Sequence, residues 1–200
     1  MIETEADLLA LYGPVHPKAA IKVIDRLDAI CRQWLAACPF AVLATTDGAR
    51  LDVSPKGDAP GFLLVEDDHH LLIPDWPGNN RIDGLKNILA NPAIGLIAII
   101  PNVKETLRIN GRATIHADEA LRKRFETRGK LPITVTRIRV EEVFMHCPKA
   151  FMRSHLWEPE TWPERSSLPT MGEILKAHCG DDGPVESPEA QEARSRSQLY

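Results

Sequence analysis

From Thr106 to His116 the chain alternates strictly, with Leu107, Ile109, Gly111, Ala113 and Ile115 set against Thr106, Arg108, Asn110, Arg112, Thr114 and His116. A period of two puts the apolar set on one side of an extended backbone and the polar set on the other, which predicts a long strand with one apolar face. Such a strand needs neighbours, and the sequence supplies them. Phe40–Thr46 and Ala49–Ser54 flank Asp47-Gly48, a dipeptide suited to the positive φ angles of a tight hairpin. Phe62–Glu66 and His70–Ile73 flank Asp67-Asp68-His69 in the same way. Ala93–Ile100 is a continuous apolar run, predicting a strand buried on both faces, and Ile133–Met145 is rich in β-branched residues up to Glu141.

Helical periodicity occupies the remainder. Thr4 and Asp7 predict a short capped helix that stops at Gly13-Pro14. Ile24, Leu27, Cys31, Trp34, Leu35 and Cys38 recur at three- and four-residue steps, predicting one amphipathic helix of about five turns over Pro17–Cys38, with Trp34 in the core. Arg81–Ala90 carries Ile82, Leu85, Ile88 and Leu89 at helical spacing and closes at Asn91-Pro92, while Asp118–Arg128 reads as a capped surface helix. Pro148–His155 predicts a further short helix. The tail from Gly180 to Tyr200 holds five acidic and two basic residues with few apolar ones, and predicts loose order. Short connections between most strands, with helices at the ends, give an α+β fold: a mostly antiparallel small barrel with flanking helices.

Composition narrows the function classes. With 24 basic against 28 acidic residues the net charge is −4, and no basic block is present that could neutralise a run of phosphates, which disfavours nucleic acid as a partner. The longest apolar run has eight residues against the ~20 of a membrane helix, and the acidic start lacks a secretory pattern, so the expectation is a cytoplasmic protein with no membrane partner. Cys31, Cys38, Cys147 and Cys179 form no Cys-x-x-Cys pair. Free, inert thiols are the reading, and the spacing of His146 and His155 suits no metal, so no metal site is expected.

Chemistry-bearing residues concentrate in two stretches. Arg50, Asp52 and Ser54 alternate onto one face of the first hairpin, with Lys56 close to that line. Gly78-Asn79-Asn80-Arg81 then opens a helix, whose first amides have no intrahelical partner, and Arg81 adds a planar fork suited to oxyanions. The two stretches predict one anion site.

This run, together with Ala93–Ile100 and Thr106-Leu-Arg-Ile-Asn-Gly-Arg-Ala113, resembles the pyridoxamine 5'-phosphate oxidase-related FMN-binding split-barrel family over roughly residues 40–157. Phe144-Met-His-Cys-Pro-Lys-Ala-Phe-Met-Arg-Ser-His-Leu-Trp157 is similar to the ending of an uncharacterised flavoprotein branch of it. The resemblance implies a split barrel over 40–157, N-terminal helices over 1–39 packed on it and a C-terminal extension over 158–200. It implies FMN in sites shared across a homodimer, contacted by Arg50, Ser54 and Lys56 on the strand side and by Asn80, Arg81 and Asn87 on the helix side. Thr106 would reach the ring from the opposite subunit. Lys149 and Arg153 would lie near the pyrimidine edge, and Trp157 either there or in the dimer interface. The implied activity is that of an oxidoreductase of unknown substrate and donor, with the hydride chemistry carried by the flavin and no catalytic side chain required. The alternatives are a flavin reductase, an F420-dependent enzyme, or a non-catalytic flavin- or haem-binding protein. The loop before the central helix is longer than the oxidase's, and that enzyme's C-terminal arginine and histidine pattern is not found.

Overall fold

The computed structural model describes residues 1–180 and 183–200. Seven antiparallel strands form one sheet: β1 Phe40–Thr46, β2 Leu51–Gly57, β3 Leu64–Val65, β4 His70–Asp75, β5 Ala93–Ile99, β6 Thr106–His116 and β7 Thr134–His146. Their order is β2-β1-β5-β6-β7-β4-β3. The sheet curls into a split half-barrel flanked by helices, the expected architecture.

The alternation of β6 sets the interior. Leu107, Ile109 and Ala113 are buried, facing Ile138 and Val143 of β7, Leu96 and Ala98 of β5, Ala41 and Leu43 of β1, and Leu71 and Ile73 of β4. The ladder between β6 and β7 slips at Asn110/Gly111, where Asn110 pairs with Glu142 and Gly111 with Val140, leaving Glu141 as the extra residue of a bulge. At this bend a Cβ on Gly111 would stand 2.1 Å from the Arg139 carbonyl oxygen, so only glycine fits.

Helices α1 Glu5–Tyr12 and α2 Pro17–Ile21 bury no residue. The single long helix expected over Pro17–Cys38 is instead broken. Ile24 leaves the helical path to exchange two backbone hydrogen bonds with Val143 (3.0 and 2.7 Å), extending the sheet. Asp28 then restarts the helix by accepting from the Cys31 amide at 2.8 Å, and α3 runs Ala29–Ala37. A ladder contact and a new cap thus outweigh continuous periodicity, while Leu27, Cys31, Leu35 and Cys38 still plug the barrel as their spacing predicts.

Strand β5 also departs from expectation, since Ile94, Leu96 and Ala98 are buried but Ile97 is 38% exposed. One chain covers only one face of this strand. The open face continues onto β1 and β2, where Ile97 pairs with Val42, Val42 with Pro55 and Ala44 with Val53. Leu51 and Val53 are 80% and 63% exposed on that surface.

Helix α4 Asp83–Ala90 packs on β1, β2 and β6, α5 covers Glu119–Lys123, and α6 covers Lys149–Ser154. The C-terminal extension forms two single-turn 3₁₀ segments, then α7 Met171–Cys179 and α8 Pro188–Ser197. The tail expected to be loose therefore carries a helix, started by Ser187 accepting from the Ala190 amide and by Pro188 at its first position, and supported by an Arg196–Glu192 pair. Asp181 and Asp182 of that tail lie outside the described residues.

Candidate functional site

The curl leaves a gap between the two ends of the sheet. Side chains cross it: Lys56 Nζ at the end of β2 reaches Asp75 Oδ1 at the end of β4 at 2.8 Å, and Trp76 Nε1 donates to Asp58 Oδ2 at 3.1 Å. Tyr200 packs edge-on against Trp76 with ring centroids 4.7 Å apart and hydrogen-bonds the other Asp58 oxygen. Burial first, and then Asp58, push the Tyr200 phenol up to about 12.

Beside this seam opens a cleft of about 570 Å³. Asp52, Ser54 and Lys56 project into it from alternate positions of β2, with Leu43 beneath them. The loop Gly78–Ile82 and the first turn of α4 form one wall, and Ile133 and Thr134 at the start of β7 form the other. Thr134 arrives because it is the register partner of Asp75. The loop is tightly wound, with Asn80 and Ile82 both at positive φ (59° and 48°). Asparagine tolerates that conformation, but a β-branched residue there is strained.

Four residues expected from the sequence meet in this cleft: Ser54, Lys56, Asn80 and Arg81. Asn87 sits below it, buried, its amide nitrogen donating to Thr45 Oγ1 at 3.2 Å, so it fastens α4 to β1. Arg50 does not line the cleft. It lies in the turn before β2, its side chain 88% exposed and paired with Asp47 at 3.4 Å. The alternation of β2 holds only from Leu51, and one residue earlier the hairpin turn takes the backbone away.

The remaining candidates lie elsewhere on the chain. Thr106 is buried at the start of β6, opposite His146. Lys149 and Arg153 are exposed on α6, with no ion pair among the described residues. Trp157 gives its indole N–H to the Val103 carbonyl at 2.9 Å and stacks on Phe151 at 5.9 Å.

Both cations of the cleft are already paired. Lys56 is paired with Asp75, while the Arg81 guanidinium holds Asp83 at 2.8 Å and lowers the pKa of its carboxyl. Ser54 Oγ donates to Asp52 Oδ2 at 2.5 Å. That same carboxylate oxygen lies against Gly84, 2.8 Å from where a Cβ would stand, so a protein carboxylate already faces the start of α4. Among the described residues no side chain caps that helix. Sequence spacing pointed to the cations and to Asp52 but not to Asp75 and Asp83 beside them, and Asp75, Trp76 and Thr134 carried no local motif. Only the β4–β7 pairing places them here.

Residues 27–147 match the family model described as pyridoxamine 5'-phosphate oxidase. The chain belongs to that family. Against solved structures, HupZ of Group A Streptococcus is 24% identical, with 60% of this chain and 99% of that one covered at a TM-score of 0.48. General Stress Protein 26 of Bacillus anthracis is 14% identical (56% and 88% covered, TM-score 0.44), and a FAD-binding protein of Mesorhizobium loti is 19% identical (62% and 94% covered, TM-score 0.42). No curated protein gives a significant match.

Two features of the cleft suit a flavin. Thr134 Oγ1 is shielded from solvent with no hydrogen-bond partner among the described residues, and a buried hydroxyl of that kind is costly unless a bound group answers it. Lys56 and Arg81 stand where an anionic end could exchange with Asp75 and Asp83, and the volume is that of an ordinary cofactor pocket.

Proposed function

We propose that this protein is an FMN-binding oxidoreductase acting as a homodimer. The observation that carries the reading is the convergence of Ser54 and Lys56 from β2 with Asn80 and Arg81 from the loop before α4, next to the unsatisfied Thr134 hydroxyl, in one cleft. In this reading Arg81 and Lys56 bind the phosphate, Asn80 and Thr134 hydrogen-bond the remaining polar edge, and Leu43 and Ile133 shield the ring from water. FMN, when bound, supplies the hydride and electron transfer. The chain's own residues orient it and set its electrostatic surroundings.

Charge explains why a second copy belongs to this reading. Within one chain the cleft holds two cations and three carboxylates, a poor match for a phosphate dianion. Lys149 and Arg153 are exposed cations with no partner in their own chain among the described residues. Supplied from a neighbouring copy, they would reverse that balance. The open apolar surface of Leu51, Val53 and Ile97 gives the copies a surface on which to meet.

The test is to purify the protein without added cofactor, record its visible spectrum, and identify any released chromophore by mass. FMN at one per chain is the expected result. A colourless preparation that takes up neither FMN nor F420 would overturn the proposal.

A further inference from the structure

On the outer surface of β6 and β7, away from the cleft, two arginines face each other. Arg112 is the register partner of Arg139, and Arg139 is in turn the partner of His70 on β4. Arg137, one step along the same face, lies opposite Thr114. Directly opposed side chains have Cβ atoms roughly 4.5–5.5 Å apart, and like charges so placed destabilise a sheet. The alternation of β6 requires only a polar residue at 112, not a cation opposite a cation.

Local carboxylates do not neutralise this cluster. Glu66 is shared between Arg137 at 2.7 Å and Arg124 at 2.9 Å, and Asp67 is engaged with His70 at 2.9 Å. The side chains of Arg112 and Arg139 have no ion pair or hydrogen bond among the described residues, and both residues are exposed. A chain with a net charge of −4 therefore keeps a local excess of guanidinium. These groups do not sit on a flat surface. His70, Pro92, Arg112, Thr114, Arg137 and Arg139 wall a concavity of about 370 Å³.

We infer that this arginine pocket binds a small soluble ligand through a phosphate group, at a site separate from the flavin cleft. Guanidinium forks match phosphate oxygens two at a time, and a dianion between Arg112 and Arg139 turns their repulsion into shared attraction. Glu66 and Asp67 at its border, and the pocket's small size, fit a compact solute better than an extended polyanion or a membrane surface.

Inorganic pyrophosphate, titrated calorimetrically into the full chain at low salt, is the probe. Saturable binding at one per chain is expected. The double variant Arg112→Gln, Arg139→Gln should weaken it at least tenfold, and Lys56→Gln should leave it unchanged. Arg112→Glu, which gives Arg139 an internal counter-ion, should fold with an equal or higher melting temperature and lose pyrophosphate binding altogether. Three results would overturn the inference: no saturable binding by the unaltered chain, equal affinity in the double variant, or retention on phosphatidylglycerol vesicles without binding of free pyrophosphate. Dissociation of an oligomer in the double variant, with pyrophosphate ignored, would also overturn it by making the patch a contact between copies.

Discussion

The two faces of the same strands are finished to different degrees. On the inner face Leu107, Ile109 and Ala113 of β6 are buried, and at Gly111 the fit leaves no room even for a methyl group. On the outer face β2, β1 and β5 present apolar side chains to solvent, and β6 and β7 present opposed arginines. Packing within one chain explains the apolar interior, but among the described residues it leaves the buried Trp34 Nε1 and Thr134 Oγ1 without partners. The outside adds exposed apolar side chains and opposed arginines that packing within one chain does not account for, so residues on both faces that stability alone leaves unexplained are the ones to examine for function.

The largest effect should come from disturbing the inside. Gly111→Ala should lower stability by about 3 kcal/mol or more, because the added carbon meets backbone rather than a flexible side chain. Denaturant unfolding measures it, and a near-neutral result would mean that the bulge can relax. Val53→Asp is the matching disturbance outside. It should leave the fold intact while weakening self-association at least a hundredfold, about 2.7 kcal/mol, as read by analytical ultracentrifugation. Unaltered association would remove the β2–β1–β5 surface from the interface.

Between the two faces, Arg81→Ala should weaken FMN binding by roughly 1.5 kcal/mol, the low end for a hydrogen bond to a charged group, because Arg81 must first release Asp83. Fluorescence titration reads this directly. Ile82→Asn should raise stability by about 1 kcal/mol by relieving the left-handed strain at the start of α4. A loss of stability there would show that the isoleucine side chain matters more than its backbone.

The smallest effect separates inside from outside by reactivity. At pH 8 iodoacetamide should label Cys147 and Cys179, which are exposed, and spare Cys31 and Cys38, which are buried. Burial, reinforced by Asp28, pushes the Cys31 thiol to about 11 from an ordinary 9.0. Its neutral form therefore adds stability in full below pH 9, and that contribution is lost as pH rises through 11. Equal labelling of all four thiols, read by mass, would contradict the assigned burial.

Much of the inner face was legible because period-two alternation is a local signal. Strands β1, β2, β5, β6 and β7 fall where hydrophobic pattern and turn residues put them. What the sequence concealed depended on partners distant along the chain. Nothing near Ile24 announces Val143, so a continuous helical period concealed a break. The apolar run of β5 looked covered on both sides, although one chain covers one. Lys56, Ser54, Asn80 and Arg81 were found by type and spacing, as was Asp52 beside Ser54, yet Asp75 and Asp83, which pair with Lys56 and Arg81, were not. Asp75 and Thr134 become neighbours only through strand pairing, and Arg50 was lost to the cleft because a turn interrupts the alternation one residue too soon.

The bridge from Lys56 to Asp75 ties together strands that lie near opposite ends of the sheet. A barrel stitched shut by main-chain bonds would have a fixed circumference, whereas the slit of this one is crossed by side chains: an ion pair, two hydrogen bonds to Asp58 and an edge-on ring contact. An anion that draws Lys56 away would undo that tie alone, leaving the Trp76 and Tyr200 hydrogen bonds to Asp58 to hold the two edges together.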